Sequence, residues 1–161
     1  MLNFYEDVEI GERMELGSYL FTPEDIVRYA SQFDPQPFHL SDEGAAKTHF
    51  GRLCASGWHT ASVYMKLTIR TREEHERALR ERGVPIGRMG GSPGFKNLKW
   101  LKPVYAGDTI SYSSTFTDKR LSATMPEWGV LSFRNEGVNQ SGDLVFSFEG
   151  AAFIERREKA A

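Results

Sequence analysis

Ser56-Gly57-Trp58-His59-Thr60-Ala61-Ser62-Val63-Tyr64-Met65-Lys66-Leu67 decides how the rest of the chain is arranged. Ser56-Gly57 marks a helix start, and from Trp58 to Leu67 apolar and small side chains predominate, with Lys66 the one charge. A helix with so little polar surface is buried on most of its sides. Immediately beyond it the character changes: Arg70 to Arg82 holds five Arg and four Glu. Glu73/Arg77 and Glu76/Arg80 stand four apart, which predicts a solvated continuation of the same helix. Gly83 and Pro85 end it, and Gly87 to Gly94 reads as a flexible Gly-rich loop.

Everything C-terminal to that loop alternates with a period of two. Phe95 to Leu101 is one strand, closed by Pro103 and a Gly107-Asp108 turn. Thr109 to Thr117 sets Ile110, Tyr112 and Phe116 on one face against Ser and Thr on the other. Leu131/Phe133 and Leu144/Phe146/Phe148 repeat the pattern around an Asn139-Gln140-Ser141-Gly142-Asp143 hairpin turn. Upstream, about Met14 to Phe21 is a strand. Thr22-Pro23 then starts a short helix, with Thr22 as cap, Pro23 in the first turn and Glu24 and Asp25 at the positive end of the dipole. Ile26, Tyr29, Ala30 and Phe33 form its apolar face. A further short helix is expected from Ser41. The order is strand, helix, buried helix, then four strands. An antiparallel sheet around the buried helix satisfies it best, giving an α+β fold in a single domain over residues 1–161.

Composition narrows the function. At 161 residues the chain fits one domain. Twenty basic against twenty-two acidic residues leave a formal charge of -2, so no basic excess points to nucleic acid or an anionic membrane. The single cysteine, Cys54, excludes an intramolecular disulfide. No stretch approaches the roughly 18–20 apolar residues of a membrane span, and the N-terminal residues lack the pattern of a secretory signal. A cytoplasmic protein is expected.

Asp34 and His39 are the leading chemical candidates. Pro35 and Pro37 separate them, so Asp34 to His39 is expected to be a stiff, non-helical connector on which the two side chains converge. A carboxylate beside an imidazole fixes the ring tautomer and gives an acid/base pair near neutrality. A turn-capping aspartate and a structural histidine are the plainer alternative. Gly57, just inside the buried helix, can offer its N–H to a bound oxygen, or can simply permit close packing. His49, Cys54 and His59, spaced by five, match no zinc pattern, so no metal is expected. A Cys54–His59 nucleophile pair is equally weak. The loop at 87–94 is not a nucleotide cradle. Lys96, Lys99 and Lys102 are open to two readings, a phosphate contact or the wet face of a strand.

Asp34-Pro35-Gln36-Pro37-Phe38-His39, followed by Ala45, resembles the motif of the MaoC-like, or (R)-specific enoyl-CoA hydratase, family of hotdog-fold proteins. Gln36 stands where that family has asparagine, and Phe38 where it has an aliphatic residue. Lys102-Pro103-Val104-Tyr105-Ala106-Gly107-Asp108-Thr109 and Asn139-Gln140-Ser141-Gly142-Asp143-Leu144-Val145 resemble two further landmarks, in the right order. The resemblance implies a hotdog domain, a long helix wrapped by a curved antiparallel sheet, assembled as a homodimer or higher homo-oligomer. It also implies that Asp34 and His39 activate water for addition to a 2-enoyl thioester of coenzyme A or an acyl carrier, with the Gly57 N–H holding the thioester oxygen and no cofactor or metal. Residues 70–94 then read as a charged, Gly-rich insertion that tunes access to the cleft. Two other functions fit the same fold. A thioesterase would need a carboxylate on the central helix, and Ser56 to Leu67 has none. A non-catalytic acyl- or signal-binding protein would not need both Asp34 and His39.

Overall fold

The computed structural model describes residues 3–157. After a 3-10 turn at Tyr5–Asp7 come β1 (Arg13–Leu20), α1 (Pro23–Phe33), two short helices α2 (Pro37–Leu40) and α3 (Asp42–Ala46), and the long helix α4 (Gly57–Glu81). Four strands follow: β2 (Gly94–Trp100), β3 (Thr109–Leu121), β4 (Trp128–Asn139) and β5 (Leu144–Glu155). They form one sheet in the order β1-β3-β4-β5-β2, antiparallel throughout. One five-stranded sheet with a long helix against it is the hotdog architecture.

Local chemistry accounts for the element boundaries. The Thr22 hydroxyl accepts from the Asp25 N–H, and Pro23 fills the first helical position of α1. Ser41 caps α3 through the Gly44 N–H. The β4–β5 turn is held by the Asn139 carboxamide, which accepts from Ser141 and Asp143 N–H, and by Gly142 at φ +84°. β1 carries a bulge at Gly17, where φ is +101° and an added Cβ would meet the Arg70 guanidinium.

α4 runs for 25 residues, about 37 Å. The expected continuation into the charged segment is observed, with ion pairs Arg70–Glu74, Arg72–Glu76 and Glu76–Arg80 along it. His59, Thr60, Val63, Tyr64 and Leu67 are buried in its first half, but only Leu79 in the remainder. The larger core cluster joins Val63 and Leu67 to Phe21 and Ile26 and to Ile110, Tyr112 and Phe146 of the sheet. A smaller one gathers Val8, Phe116, Leu131 and Ile154.

Three sequence expectations need correction. Phe33 is not part of the buried face of α1: Ile26 and Ala30 are fully buried, but Phe33, in the last turn, is 68% exposed, its ring against that of Tyr29. The connector after α1 is not wholly non-helical, because Pro37–Leu40 closes a helical turn with Pro37 at its start. Proline is compatible with a first turn, since its missing N–H would have had no partner there. The Gly-rich loop is not free. Glu155 N–H donates to Arg88, Gly90 N–H to Phe153 and Phe153 N–H to Gly91, while Arg88 also pairs with the Glu155 carboxylate. These bonds satisfy β5 backbone groups beyond the reach of β2.

Candidate active site

Asp34 is the residue that ends α1. Its N–H still bonds the Ala30 carbonyl, but its φ of −156° has left the helix, because Pro35 biases its predecessor away from helical geometry. Two residues on, the chain turns into α2, with His39 N–H donating to the Gln36 carbonyl. That reversal, absent from a continuous helix, brings the side chains together. His39 Nε2 lies 3.4 Å from Asp34 Oδ2. The histidine is 7% exposed and the aspartate 20%, so the pair has one open side.

The extended segment before α4 forms the opposite wall. Cys54 N–H donates to the Phe38 carbonyl, and Ala55 N–H to Val104. The Cys54 carbonyl sits 2.6 Å from His39 Nδ1. A carbonyl only accepts, so Nδ1 carries a proton and donates it to Cys54, which leaves Nε2 as the ring nitrogen that faces Asp34. Asp34 accepts from the Gln36 amide at 2.8 Å and from the buried Ser56 hydroxyl. Partial burial pushes its pKa up, but the Ser56 and Gln36 hydrogen bonds and the field of His39 outweigh this and hold the carboxyl below its ordinary value. Asp34 is therefore a carboxylate at neutral pH.

Gly57 is the first residue of α4, next to Ser56. Its carbonyl accepts from the Thr60 hydroxyl at 2.6 Å and from the Trp100 indole at 2.9 Å. Its N–H bonds to no acceptor among the described residues. The close-packing reading of this glycine is supported, because an added Cβ would meet the Trp100 ring at 2.5 Å. Ser56 joins the elements: its hydroxyl bonds Asp34 and accepts from Trp58 N–H at the start of α4. Sequence reasoning treated Ser56 only as a start signal and missed the roles of Trp100 and the Cys54 carbonyl. Sequence reasoning also did not foresee the Gln36 tether on Asp34.

The other candidates separate. Cys54 is paired with His39, at 3.7 Å, and not with His59; burial pushes its thiol up to about 11. His59 stacks on Tyr29, and His49 packs on Phe50. Among the described residues no group of three His, Cys, Asp or Glu could hold a metal ion. Lys96 and Lys102 are engaged by Glu149 and Asp143. An apolar cavity of about 440 Å³ lies between α4 and the sheet, bordered by Trp58 and Tyr64. Asp34, His39 and Gly57 do not line it. The Asp34–His39 pair and the apolar cavity are therefore separate features.

Comparison with known proteins agrees with the fold and the family resemblance. The crystal structure of the MaoC-like dehydratase from Rhodospirillum rubrum superposes with a TM-score of 0.77 at 27% identity, covering 97% of this chain and 99% of that one. The uncharacterized protein YdeM of Bacillus subtilis is 28% identical over 151 residues, 94% of this chain and 98% of its own length. The mesaconyl-CoA hydratase of Haloarcula marismortui is 26% identical over 135 residues, but this chain spans only 38% of that enzyme's length. The model of the MaoC-like domain matches residues 7–130, a span that contains Asp34, His39 and Gly57, and the chain belongs to that family.

Proposed function

We propose that the protein is an acyl-thioester hydratase/dehydratase, adding water to a 2-enoyl thioester or removing it from the 3-hydroxyacyl product. The observation that carries this reading is the Asp34–His39 pair, with Nδ1 tied to Cys54 and Nε2 facing the carboxylate at 3.4 Å. A water shared by Nε2 and the carboxylate is oriented for attack on the β-carbon. The pair accepts one proton from that water and returns one to the α-carbon, so the elements of water are added across the double bond without redox change. Negative charge developing on the thioester oxygen is met by the Gly57 N–H, with the α4 dipole behind it.

Acyl-CoA is the proposed carrier form, an acyl carrier protein the alternative. No helix of the described residues is long and apolar enough to cross a membrane. A homodimer is proposed because β2 is an edge strand with Phe95 and Trp100 exposed, and an open apolar edge is normally covered. The segment 70–94 is assigned to substrate access and not to chemistry.

A panel of 2-enoyl-CoAs of increasing length, read by loss of enoyl absorbance, tests the assignment. Turnover that disappears in Asp34→Asn and His39→Ala supports it. A folded wild-type protein that binds acyl-CoA but turns over none of the panel would return the chain to the non-catalytic binding class.

A further inference from the structure

Asn135 is fully buried in the middle of β4, and one end of its side chain has no partner. It stands opposite Ser114 on β3 and Phe148 on β5, so the three side chains share one face of the sheet. Tyr64 reaches that face from α4 and donates its hydroxyl to Asn135 Oδ1 at 2.7 Å, and Ser114 donates to the same oxygen at 2.8 Å. Asn135 Nδ2, with two N–H bonds, meets no acceptor among the described residues. Buried amides are nearly always satisfied, so such an orphan marks a place where a partner belongs. The tie between α4 and the sheet does not account for it, because holding Tyr64 needs only the carbonyl end of the amide. Turning the amide over does not cure it either, since Oδ1 would then be left without a donor.

Tyr64 and Ser114 also border the cavity, where the wall around them is aromatic, with Phe116, Phe133, Phe146 and Phe148. Thr68, one turn on from Tyr64, borders it too, with its hydroxyl proton given to the Tyr64 carbonyl. Burial pushes the Tyr64 pKa up against the opposing hydrogen bonds of Thr68 and Ser114, so the phenol keeps its proton. Tyr64 lies about 10 Å along α4 from Gly57, too far to share a ligand atom with it. Asn135 Oδ1 has both lone pairs in use. What is left over is the Nδ2 donor pair and the spare lone pairs of the Tyr64 and Ser114 hydroxyls. A group that fits must accept one hydrogen bond and donate another. A carbonyl only accepts, and a carboxylate brings charge into a cluster whose side chains carry none. A hydroxyl does both.

We propose that Tyr64, Ser114 and Asn135 form a recognition site for a hydroxyl group, and that the molecule taken there is an uncharged alcohol or phenol. Asn135 Nδ2 donates to the ligand oxygen, and the ligand O–H donates to the Tyr64 or Ser114 oxygen. The site is independent of the thioester reading, since Asp34, His39 and Gly57 take no part in it.

The test uses the full chain and two probes of one shape, p-cresol and p-xylene, in which a hydroxyl takes the place of a methyl group. Kd values come from two-dimensional NMR titration of the backbone amides around the cavity. The Asn135 side-chain amide, identified by its absence from Asn135→Leu, reports the contact itself. In a purely apolar site p-xylene binds about ten-fold more tightly, because burying an unpaired hydroxyl is costly. Here p-cresol should bind at least as tightly as p-xylene, and it alone should shift the Asn135 amide strongly. In Asn135→Leu and in the double variant Tyr64→Phe/Ser114→Ala the preference should turn to p-xylene by about ten-fold, read in whichever variant keeps its thermal transition. A p-xylene preference in the wild type overturns the proposal, and so does a p-cresol preference that survives in a folded variant. A bound water that stays on the Asn135 amide at saturating p-cresol, seen as a persistent nuclear Overhauser effect, overturns it as well, because water then fills the place assigned to the ligand hydroxyl.

Discussion

The first turns of α4 and its last turns share one continuous backbone but face opposite kinds of surroundings. At the N-terminal end polar atoms are held by short, specific bonds: His39 Nδ1 on Cys54, Gln36 on Asp34, and Thr60 and Trp100 on the Gly57 carbonyl. From Arg70 on the helix carries ion pairs on exposed side chains, and an apolar cavity runs beside its earlier turns, from Trp58 to His75. The difference separates two requirements of thioester chemistry. Charge that develops at fixed atoms needs fixed donors and acceptors, because reorganisation during the reaction costs rate. An acyl tail needs volume and contact, not direction. Under the proposed function, the first requirement falls to the polar groups around the start of α4.

The comparison breaks most visibly if the polar end is dispensable. Asp34→Asn and His39→Ala should each lower kcat for enoyl-CoA hydration by about 10²–10⁴, the range for a positioned acid or base. Far-UV circular dichroism and the thermal transition should stay close to wild type. Unaltered turnover in either variant would reduce the pair to a turn cap and a structural histidine.

The next effect isolates a single N–H. Gly57→Ala alone is uninformative, since its Cβ meets Trp100. In a Trp100→Ala background that obstacle is gone, and Ala and Pro at position 57 can be compared. Proline suits the first turn of a helix but has no N–H to donate. The proline double variant should lose about 10²–10³ in kcat relative to the alanine one, as expected for removal of an oxyanion donor. Equal rates in steady-state assays would mean that the thioester oxygen is held elsewhere.

The fold was largely legible because its signals are local. Alternation in the strands, Thr22-Pro23 at α1 and Asn139 to Asp143 at the last turn each depend on residues close in sequence, and the structure places their starts within a residue or two of expectation, although β3 runs past a bulge to Leu121, four residues beyond the expected Thr117. The site was legible only where its parts are close along the chain. Asp34 and His39 lie on one connector, but the carbonyl that sets the tautomer of His39 comes fifteen residues later, and the indole that closes over Gly57 forty-three residues later. Neither Cys54 nor Trp100 has a residue type that advertises such a role. The cavity left no sequence signal at all, because it arises from how far a helix stands from a sheet. Exposed Phe33 shows the converse limit: apolar periodicity marks a helix face but not whether the last turn reaches the core.

A pH-dependent effect tests the packed half of α4. His59 is 5% exposed, stacked on Tyr29 with its Nδ1 unpartnered, and burial pushes its pKa down to about 4, with Arg28 adding to the shift and Asp25 opposing it. In the unfolded chain the same ring takes a proton near pH 6.5. Protons therefore favour the unfolded state as pH falls from 6.5 toward about 4, and stability is lost across that window and levels off below it. The full shift corresponds to about 3 kcal/mol, of which roughly 2 kcal/mol is expressed between pH 7 and pH 4.5. Urea unfolding at pH 7 and pH 4.5 should show the loss in the wild type, and His59→Gln should remove most of it. Identical pH dependence in the two proteins would place the acid sensitivity in other groups.

The smallest effect is expected at the far end of the helix. Glu76 bridges Arg72 at 3.5 Å and Arg80 at 3.2 Å, with Arg80 70% exposed. Exposed pairs of this kind gain little, because water screens the attraction and long side chains lose freedom to make it. Glu76→Gln should therefore lower stability by no more than about 1 kcal/mol in low-salt urea titrations, with the difference shrinking as salt is raised. Hydration of crotonyl-CoA should be unchanged, because Glu76 lines neither the polar end nor the apolar cavity. A large loss of kcat in the folded variant would be the more instructive result. It would mean that the charged extension takes part in the chemistry, and that the division of α4 into a reacting end and an accommodating end is drawn in the wrong place.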